Sequence, residues 1–217
     1  YNTSTDLFAT NNQVNLDTAQ GTGVVLHDFD GDGDLDAVIS NNNEPSALFE
    51  NDGTGSFSQL LTFADSDIAR GVELVDLNGD GLMDLYFARD NGLDDTIALN
   101  TTDMAATPVV VSFSTQAPSG VAAHNSSGVA FADTNNDGAV DLAFITVDDT
   151  VLANSGNIVY DVAVGANPTF TARANTLGAA RSTDVALGDL DNDGDIDAFV
   201  TNFGAPHTWW HMKLAPT

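Results

Sequence analysis

Four loops of the sequence carry acidic side chains at a fixed spacing. Each loop follows the pattern D-x-[D/N]-x-D-G-x-x-D, with oxygen-bearing side chains at loop positions 1, 3, 5 and 9 and glycine at position 6. Alternate side chains of such a loop point inward and the glycine permits a sharp turn, so the loop can enclose a hard cation. The candidate side-chain ligands are Asp28, Asp30, Asp32 and Asp36; Asp76, Asn78, Asp80 and Asp84; Asp133, Asn135, Asp137 and Asp141; and Asp189, Asp191, Asp193 and Asp197.

Calcium is the cation that best suits this set of ligands. It accepts roughly six to eight oxygens at flexible geometry, whereas magnesium requires a near-ideal octahedron. A single acidic loop could be an ordinary turn, but four copies in register favour about four calcium sites. We expect the first and fourth sites, which have four carboxylates each, to bind more tightly than the other two. The backbone carbonyl at loop position 7 is a further predicted ligand, contributed by Asp34, Leu82, Ala139 and Asp195.

The segments that flank the loops predict β-strands. An EF-hand loop would need helices on both sides and a glutamate at position 12. Here position 12 is apolar in every copy, and short β-branched and aromatic runs lie on both sides. Each loop therefore joins two strands of a hairpin, and the predicted hairpins span about residues 22–40, 70–88, 127–146 and 183–202.

The hairpins recur along the chain. The loops begin at residues 28, 76, 133 and 189, so the repeat is 48 to 57 residues long. Repeats near this length are typical of propeller blades. Further extended segments follow each hairpin: third-strand candidates at 47–51, 97–100, 151–154 and 208–212, and fourth-strand candidates at 57–61 and 109–113. The sequence predicts one all-β domain over residues 1–217, a propeller of four blades with four antiparallel strands each.

The repeat unit also resembles a known family. The acidic loop and a third strand of the form Leu-Phe-x-Asn, as in Leu48–Asn51, are similar to FG-GAP/VCBS repeats, the blades of the integrin α-chain propeller and of many secreted bacterial proteins. The resemblance covers nearly the whole chain. It implies a β-propeller with calcium bound in the hairpin between the first two strands of each blade. Family members often carry seven blades, whereas this chain has loops for four.

The two ends of the chain predict how the ring closes. Only one strand candidate follows the fourth hairpin, so the fourth unit lacks a strand within its own segment. We expect residues 1–20 to supply that strand and close the ring within one chain. Donation of this segment to a neighbouring subunit is the alternative, because an unpaired strand edge invites pairing with another chain.

Composition limits the partners and the setting. The chain has 32 acidic and 5 basic residues, a formal charge of −27, which disfavours nucleic acid and anionic membranes as partners. Without calcium the acidic side chains of the loops would repel one another, so calcium binding should contribute to the free energy of folding. Cysteine is absent, and no apolar run approaches the roughly 20 residues that a membrane span needs. We expect an extracellular protein, secreted or at a cell surface.

No group of residues predicts catalysis. The four histidines lack metalloprotease spacing, and the carboxylates are accounted for by calcium. We expect no enzymatic activity, although an enzyme domain acting on polysaccharides stays an alternative because a fold does not determine function.

A ligand-binding surface is the more informative prediction. Thr22, Arg70, Ser127 and Thr183 each precede the first ligand of a loop by six residues, so we expect them to ring one mouth of the central channel. Arg70 could instead only neutralise nearby acids. Trp209 and Trp210 are further candidates for contact with a sugar or a protein, one ring pointing inward and the other outward.

The function expected from these features is adhesion, or the binding of a glycan or protein ligand, with calcium as a structural ion. The second hypothesis is a subunit of an extracellular fibre or surface layer, assembled by strand exchange. The third is the polysaccharide-acting enzyme domain.

Overall fold

A computed structural model describes residues 16, 19–63, 68–148, 156–178 and 180–212. Across these ranges we find no helix with the length and apolar character that a membrane span requires. The strands are β1 (Gln20–His27), β2 (Asp36–Asn42), β3 (Ala47–Asn51), β4 (Phe57–Thr62), β5 (Ala69–Val75), β6 (Asp84–Arg89), β7 (Thr96–Asn100), β8 (Phe113–Gln116), β9 (Ser126–Ala132), β10 (Leu142–Val147), β11 (Ile158–Ala163), β12 (Thr169–Thr176), β13 (Ser182–Gly188), β14 (Asp197–Asn202) and β15 (Thr208–Trp210).

The strands form four antiparallel sheets, which are the four blades of a β-propeller. Blade one has the order β1-β2-β3-β4, blade two β5-β6-β7-β8 and blade three β9-β10-β11-β12. Blade four has the order β13-β14-β15, so three of its strands lie in the described part of the chain. The predicted all-β propeller is confirmed, and each acidic loop joins the first two strands of its blade.

The register of the first hairpin is the same in three blades and shifted in the third. The equivalent pairs are Val24↔Ile39, Val72↔Phe87 and Val185↔Val200, but Val129 pairs with Ile145. As a result β10 begins after Asp141, whereas the corresponding aspartates are the first residues of β2, β6 and β14.

Two predicted strand positions differ from the structure. In blade two the fourth strand begins at Phe113, so the prediction of a strand over residues 109–112 was wrong. The backbone there bonds to the preceding turn: Ser112 N–H donates to Thr102 Oγ1 at 3.1 Å, and Thr101 N–H donates to Ser112 O at 2.8 Å. In blade three the third strand, which pairs with β10, is β11. The segment predicted as this third strand, residues 151–154, lies outside the described residues.

The segment expected to close the ring, residues 1–20, also lies outside the described residues except for positions 16, 19 and 20. Gln20 is the first residue of β1.

Three apolar cores hold the blades together, one between each successive pair. Between blades one and two, Val38 and Leu48 meet Val72 and Phe87. The second core contains Tyr86, Ile97, Val129 and Tyr160, and the third contains Phe144, Val159, Val185 and Val200. Because side chains alternate along a strand, each blade has one face toward its predecessor and one toward its successor.

The first strands of the blades pack closely around the axis of the propeller. A Cβ added to Gly23 would lie 3.4 Å from Gly71 Cα, and a Cβ added to Gly128 would lie 3.3 Å from Asp184 Cα. Glycine therefore allows neighbouring backbones to approach at this point.

Candidate functional site

The four acidic loops share a left-handed backbone conformation at position 6. Position 6 has positive φ in every copy, at +97° for Gly33, +87° for Gly81, +91° for Gly138 and +92° for Gly194. This is the left-handed region that glycine enters without a steric cost, as the sequence pattern predicts.

Position 4 also has positive φ, which the sequence reasoning missed. Gly31 and Gly79 have φ of +77°, Asn136 has +59° and Asn192 has +63°. The signal was present, because position 4 is glycine or asparagine in every copy, and these residues tolerate the left-handed region best.

The first aspartate of each loop binds the loop backbone with both carboxylate oxygens. In the first loop, Gly31 N–H donates to Asp28 Oδ1 at 2.8 Å and Gly33 N–H donates to Asp28 Oδ2 at 3.0 Å. Asp76 accepts the equivalent bonds from Gly79 and Gly81 at 2.7 and 2.9 Å. The sequence pattern therefore builds a turn around the carboxylate at position 1.

Positions 3 and 5 each accept the N–H of the residue two places later. Asp32 N–H donates to Asp30 Oδ1 at 3.1 Å, and Asp34 N–H donates to Asp32 Oδ1 at 2.9 Å. The same bonds recur in the other three loops. Each bond occupies one side-chain oxygen, so a carboxylate at these positions keeps a second oxygen that can bind a cation.

The ninth-position aspartates of blades one, two and four connect the loop to the third strand. All three are buried. Asp36 accepts N–H bonds from Phe29 at 3.0 Å and from Asn51, the last residue of β3, at 2.9 Å. Asp84 accepts the equivalent bonds from Leu77 in the loop and Asn100 at the end of β7. Asp197 accepts them from Leu190 in the loop and Met212 just after β15.

Asp141, the ninth residue of the third loop, has different partners. Its Oδ2 accepts bonds from the N–H and the hydroxyl of Thr134, both at 2.8 Å. This bonding accompanies the shifted register of blade three, so the third loop is the least like the others.

Burial and charge act on the ionisation of these groups. Burial raises the pKa of Asp84 to about 6, although N–H bonds from Asn100 and Leu77 oppose the shift. Burial also raises the pKa of Asp30, and the negative charges of Asp32, Asp36 and Asp28 raise it further. Repulsion within the loop is what a bound cation would relieve.

The pKa of Asp197 shifts in the opposite direction. Burial disfavours its charged form, but N–H bonds from Leu190 and Met212 and the nearby His211 outweigh this effect and lower the pKa.

Carboxylate oxygens converge in two of the loops closely enough to hold a metal ion. Oxygens of Asp28, Asp30 and Asp32 lie within 4.8 Å of one another in the first loop. In the fourth loop, Asp189, Asp191 and Asp197 converge within the same distance. These oxygen-only sets fit a hard divalent cation.

His211 lies against the fourth loop. Its Nδ1 is 3.0 Å from Asp191 Oδ2 and 3.3 Å from Asp197 Oδ1, and its Nε2 is 3.5 Å from Asp193 Oδ2. The sequence predicted only that this residue lies within the third-strand candidate 208–212. The signal was its position after β15, because the chain following the third strand bonds to the ninth-position aspartate.

The four residues predicted to ring the channel line one cavity. Thr22, Arg70, Ser127 and Thr183, with Asp148, surround a space of about 240 Å³. An adjoining cavity of about 260 Å³ is lined by the same four residues together with Glu73 and Asp184. Burial raises the pKa of Glu73, and the negative charge of Asp184 adds to the shift.

A β-bulge explains how these four side chains reach the axis. In every blade the register between the first two strands shifts at this residue, as between Gly21 and Gly23 around Thr22. A bulge adds an unpaired residue and redirects its side chain. Sequence spacing located the residues but gave no sign of the bulge.

All four of these side chains have hydrogen-bond partners within the protein, and the Thr183 hydroxyl lies 2.8 Å from Thr201 Oγ1. The Thr22 hydroxyl donates to Ala69 O at 2.6 Å, and the Ser127 hydroxyl donates to Ser182 O at 2.7 Å. Each of these bonds links one blade to the next. Arg70 Nε donates to Asp90 Oδ2 at 2.8 Å, so Arg70 does neutralise a nearby acid while lining the cavity.

The two tryptophans lie away from this cavity. Trp210 packs against the core between blades three and four, and its Nε1–H donates to Thr208 Oγ1 at 3.2 Å. Trp209 is exposed. Neither is among the residues that line the two axial cavities.

The repeats match a known protein family. A family model described as FG-GAP-like repeat matches residues 28–87 and again residues 76–144. Together these matches span residues 28–144, more than half of the 217-residue chain, and include the first three acidic loops. No curated protein is similar enough to the chain to count as a match.

Proposed function

Because this chain belongs to the FG-GAP-like repeat family, we propose that it is an extracellular binding module whose acidic loops hold structural calcium. The carrying observation is that in all four loops the side-chain oxygens at positions 1, 3 and 5 accept hydrogen bonds from loop N–H groups. Calcium would take oxygens at positions 1, 3, 5 and 9 and a backbone carbonyl at position 7. The positive charge of the ion would offset the repulsion between the loop carboxylates, and its ligands would hold each hairpin loop in one conformation.

The chemistry of the loops supports calcium over other cations. Their ligands are carboxylate and amide oxygens, which hard cations prefer, and calcium tolerates the variation between aspartate and asparagine at position 3. Calcium at a concentration of 100 times its dissociation constant would stabilise the fold by about 2.7 kcal/mol per site. A calcium-rich extracellular medium suits such sites.

The axial cavity is our candidate for the ligand site. The hydroxyls of Thr22, Ser127 and Thr183 line its mouth and can still accept a hydrogen bond while they donate within the protein. The Arg70 guanidinium likewise has N–H groups beyond those that bond to Asp90. Glu73 and Asp184 in its wall, with the net charge of −27, would repel an anion. The ligand that fits is a neutral, hydroxyl-bearing group of an extracellular glycan or protein.

A pair of arginine variants tests this assignment. Arg70 and Arg173 each form one ion pair with an aspartate and are similarly exposed, but only Arg70 lines the cavity. We expect Arg70→Gln to weaken the binding of hits from a neutral-glycan and extracellular-protein array by about tenfold or more. Arg173→Gln should leave binding unchanged. Equal binding by both variants would place the ligand site elsewhere.

A further inference from the structure

The fourth acidic loop has a nitrogen donor beside its oxygens. Among the described residues, three groups of metal-ligating side chains converge within 4.8 Å, and one of these groups contains a histidine: Asp191, Asp193 and His211. The group formed by Asp189, Asp191 and Asp197 shares Asp191 with it. The two groups therefore form a single site, in which an imidazole faces the carboxylates that would surround a cation.

The distances from His211 suit two ligands of one metal ion. Its Nδ1 lies 3.0 Å from Asp191 Oδ2 and 3.3 Å from Asp197 Oδ1. Two ligands that each lie about 2.1 Å from a tetrahedral ion are roughly 3.4 Å apart, so one ion can contact this nitrogen and both oxygens. Asp197 is fully buried, and the N–H groups of Leu190 and Met212 hold its carboxylate in place.

Contacts on its other sides orient the ring of His211. Its Nε2 faces Asp193 Oδ2 at 3.5 Å, and the ring makes an edge-to-face contact with Trp209, with the ring centroids 6.3 Å apart. Metal-bound histidines commonly direct their second ring nitrogen toward a carboxylate, which fixes the orientation of the ring. Nδ1 is therefore the nitrogen that is directed at the ion.

The first two blades have no histidine at the equivalent position. Alignment by strand pairing puts His211 of blade four at the position of Glu50 in blade one and Leu99 in blade two. The oxygen ligands of the loops recur in all these blades, whereas the nitrogen does not. The fourth loop therefore offers a cation a different set of ligands from the first and second loops.

We propose that the fourth loop is a site for a first-row transition-metal ion such as zinc, with His211 Nδ1 and the loop carboxylates as ligands. This inference rests on the proposed role of the loops as cation sites and gives one of them a different ion. Imidazole nitrogen is a preferred ligand of zinc, copper and nickel, whereas calcium takes oxygen ligands. When both metals are present, the fourth loop binds zinc and the other loops keep calcium.

Equilibrium dialysis followed by metal analysis tests this assignment. In millimolar calcium alone, we expect about four calcium ions per chain. With micromolar zinc added, we expect about three calcium ions and one zinc ion. His211→Gln should lower the affinity for zinc at least about tenfold, since even the loss of an outer-shell partner of a metal-bound histidine costs that much.

A second histidine of blade four provides the control. The Nδ1 of His207 accepts Asn202 N–H at 3.1 Å, so this ring is engaged outside the loop. We expect His207→Gln to retain zinc as the wild type does. Circular dichroism checks that both variants are folded.

Cobalt identifies the loop that the transition metal occupies. The chain has two tryptophans, Trp209 and Trp210, and they directly precede His211. Because cobalt(II) quenches tryptophan fluorescence at short range, we expect saturable quenching of the calcium-loaded protein that added zinc reverses. The quenching should be lost in His211→Gln and kept in His207→Gln.

The inference and the proposed function fail in different ways. Calcium bound at about four ions per chain, with no zinc retained, would overturn the transition-metal site and leave the calcium sites standing. Zinc retained equally by wild type and His211→Gln would place the ion away from His211, and an equal loss of zinc in His207→Gln would do the same. Zinc bound through His211 with no calcium bound elsewhere would contradict the proposed function alone.

Discussion

Replacement of Asp95 by asparagine should change how the stability of the protein depends on pH. Asp95 is buried in blade two, between β6 and β7. Its Oδ1 accepts Arg89 N–H at 2.8 Å, and its Oδ2 accepts the hydroxyls of Tyr86 at 2.7 Å and Ser126 at 3.0 Å. Ser126 belongs to blade three, so this carboxylate links two blades.

The magnitude follows from the pKa of Asp95. Burial raises the pKa to about 6 from 3.8, against the opposing bonds from Arg89, Tyr86 and Ser126. Between these values the folded state binds a proton that the unfolded state has released, so the free energy of unfolding falls as pH rises. A shift of about two units corresponds to a loss of about 3 kcal/mol between pH 4 and pH 7.

Asparagine should remove this loss while keeping the hydrogen bonds. Its carbonyl can accept Arg89 N–H, and its NH₂ group can donate to both hydroxyls, which are able to accept. We expect Asp95→Asn to match the wild type near pH 4 and to exceed it at pH 7 by up to about 3 kcal/mol. The measurement is urea unfolding followed by tryptophan fluorescence at pH 4, 5, 6 and 7 in constant calcium.

The comparison with wild type cancels the titration of the other acids. The exposed neighbour Asp94 provides the control, and Asp94→Asn should change the free energy of unfolding by less than about 0.5 kcal/mol at each pH. Parallel pH profiles for Asp95→Asn and wild type would show that the Asp95 carboxylate does not cause the loss of stability, as would a variant that is less stable than wild type at pH 7.

Two further predictions concern the loop connection and the core. Asp84→Ala leaves the N–H groups of Leu77 and Asn100 without their acceptor, and should destabilise the calcium-bound protein by about 2–4 kcal/mol in urea unfolding; a loss below about 0.5 kcal/mol would mean that this link is dispensable. Ile97→Ala empties a fully buried site between blades two and three and should cost about 2–5 kcal/mol, whereas the control Val110→Ala at an exposed position should cost less than about 0.5 kcal/mol. Equal costs for these two variants would contradict the assignment of the core.

The parts of the fold that sequence could predict depend on local chemistry. The glycine at loop position 6 and the β-branched runs beside each loop specify a turn and two strands within about 15 residues of one another. Local bonds also place the buried ninth aspartate at the start of the second strand in three blades. Asp36 and Asp84, for example, accept N–H bonds from the loop that precedes them. Repetition of these units was sufficient to predict the propeller.

The parts that sequence could not predict depend on distant contacts. The register of blade three shifts where Asp141 bonds to Thr134, and nothing in the acidic pattern distinguishes that outcome. The start of β8 depends on the hydrogen bonds of Ser112 with Thr101 and Thr102. The β-branched run at residues 109–111, on which the predicted strand rested, does not set it. His211 meets the fourth loop only because β15 ends beside it.

The bulges near the propeller axis also depend on contacts between distant parts of the chain. The spacing of Thr22 and its three equivalents along the chain was evident, but the bonds from Thr22 and Ser127 to the next blade exist only in the assembled propeller. A pattern within one repeat does not contain the contact between repeats.

Calorimetric titration of the chelator-stripped protein with calcium is the most direct test of the central claim. We expect saturable binding of about four ions per chain, with the first and fourth loops filling first because they carry four carboxylates. We also expect a higher midpoint of thermal unfolding in calcium than in the same concentration of magnesium. No saturable binding at millimolar calcium, with an unchanged midpoint, would contradict the claim that these loops are calcium sites.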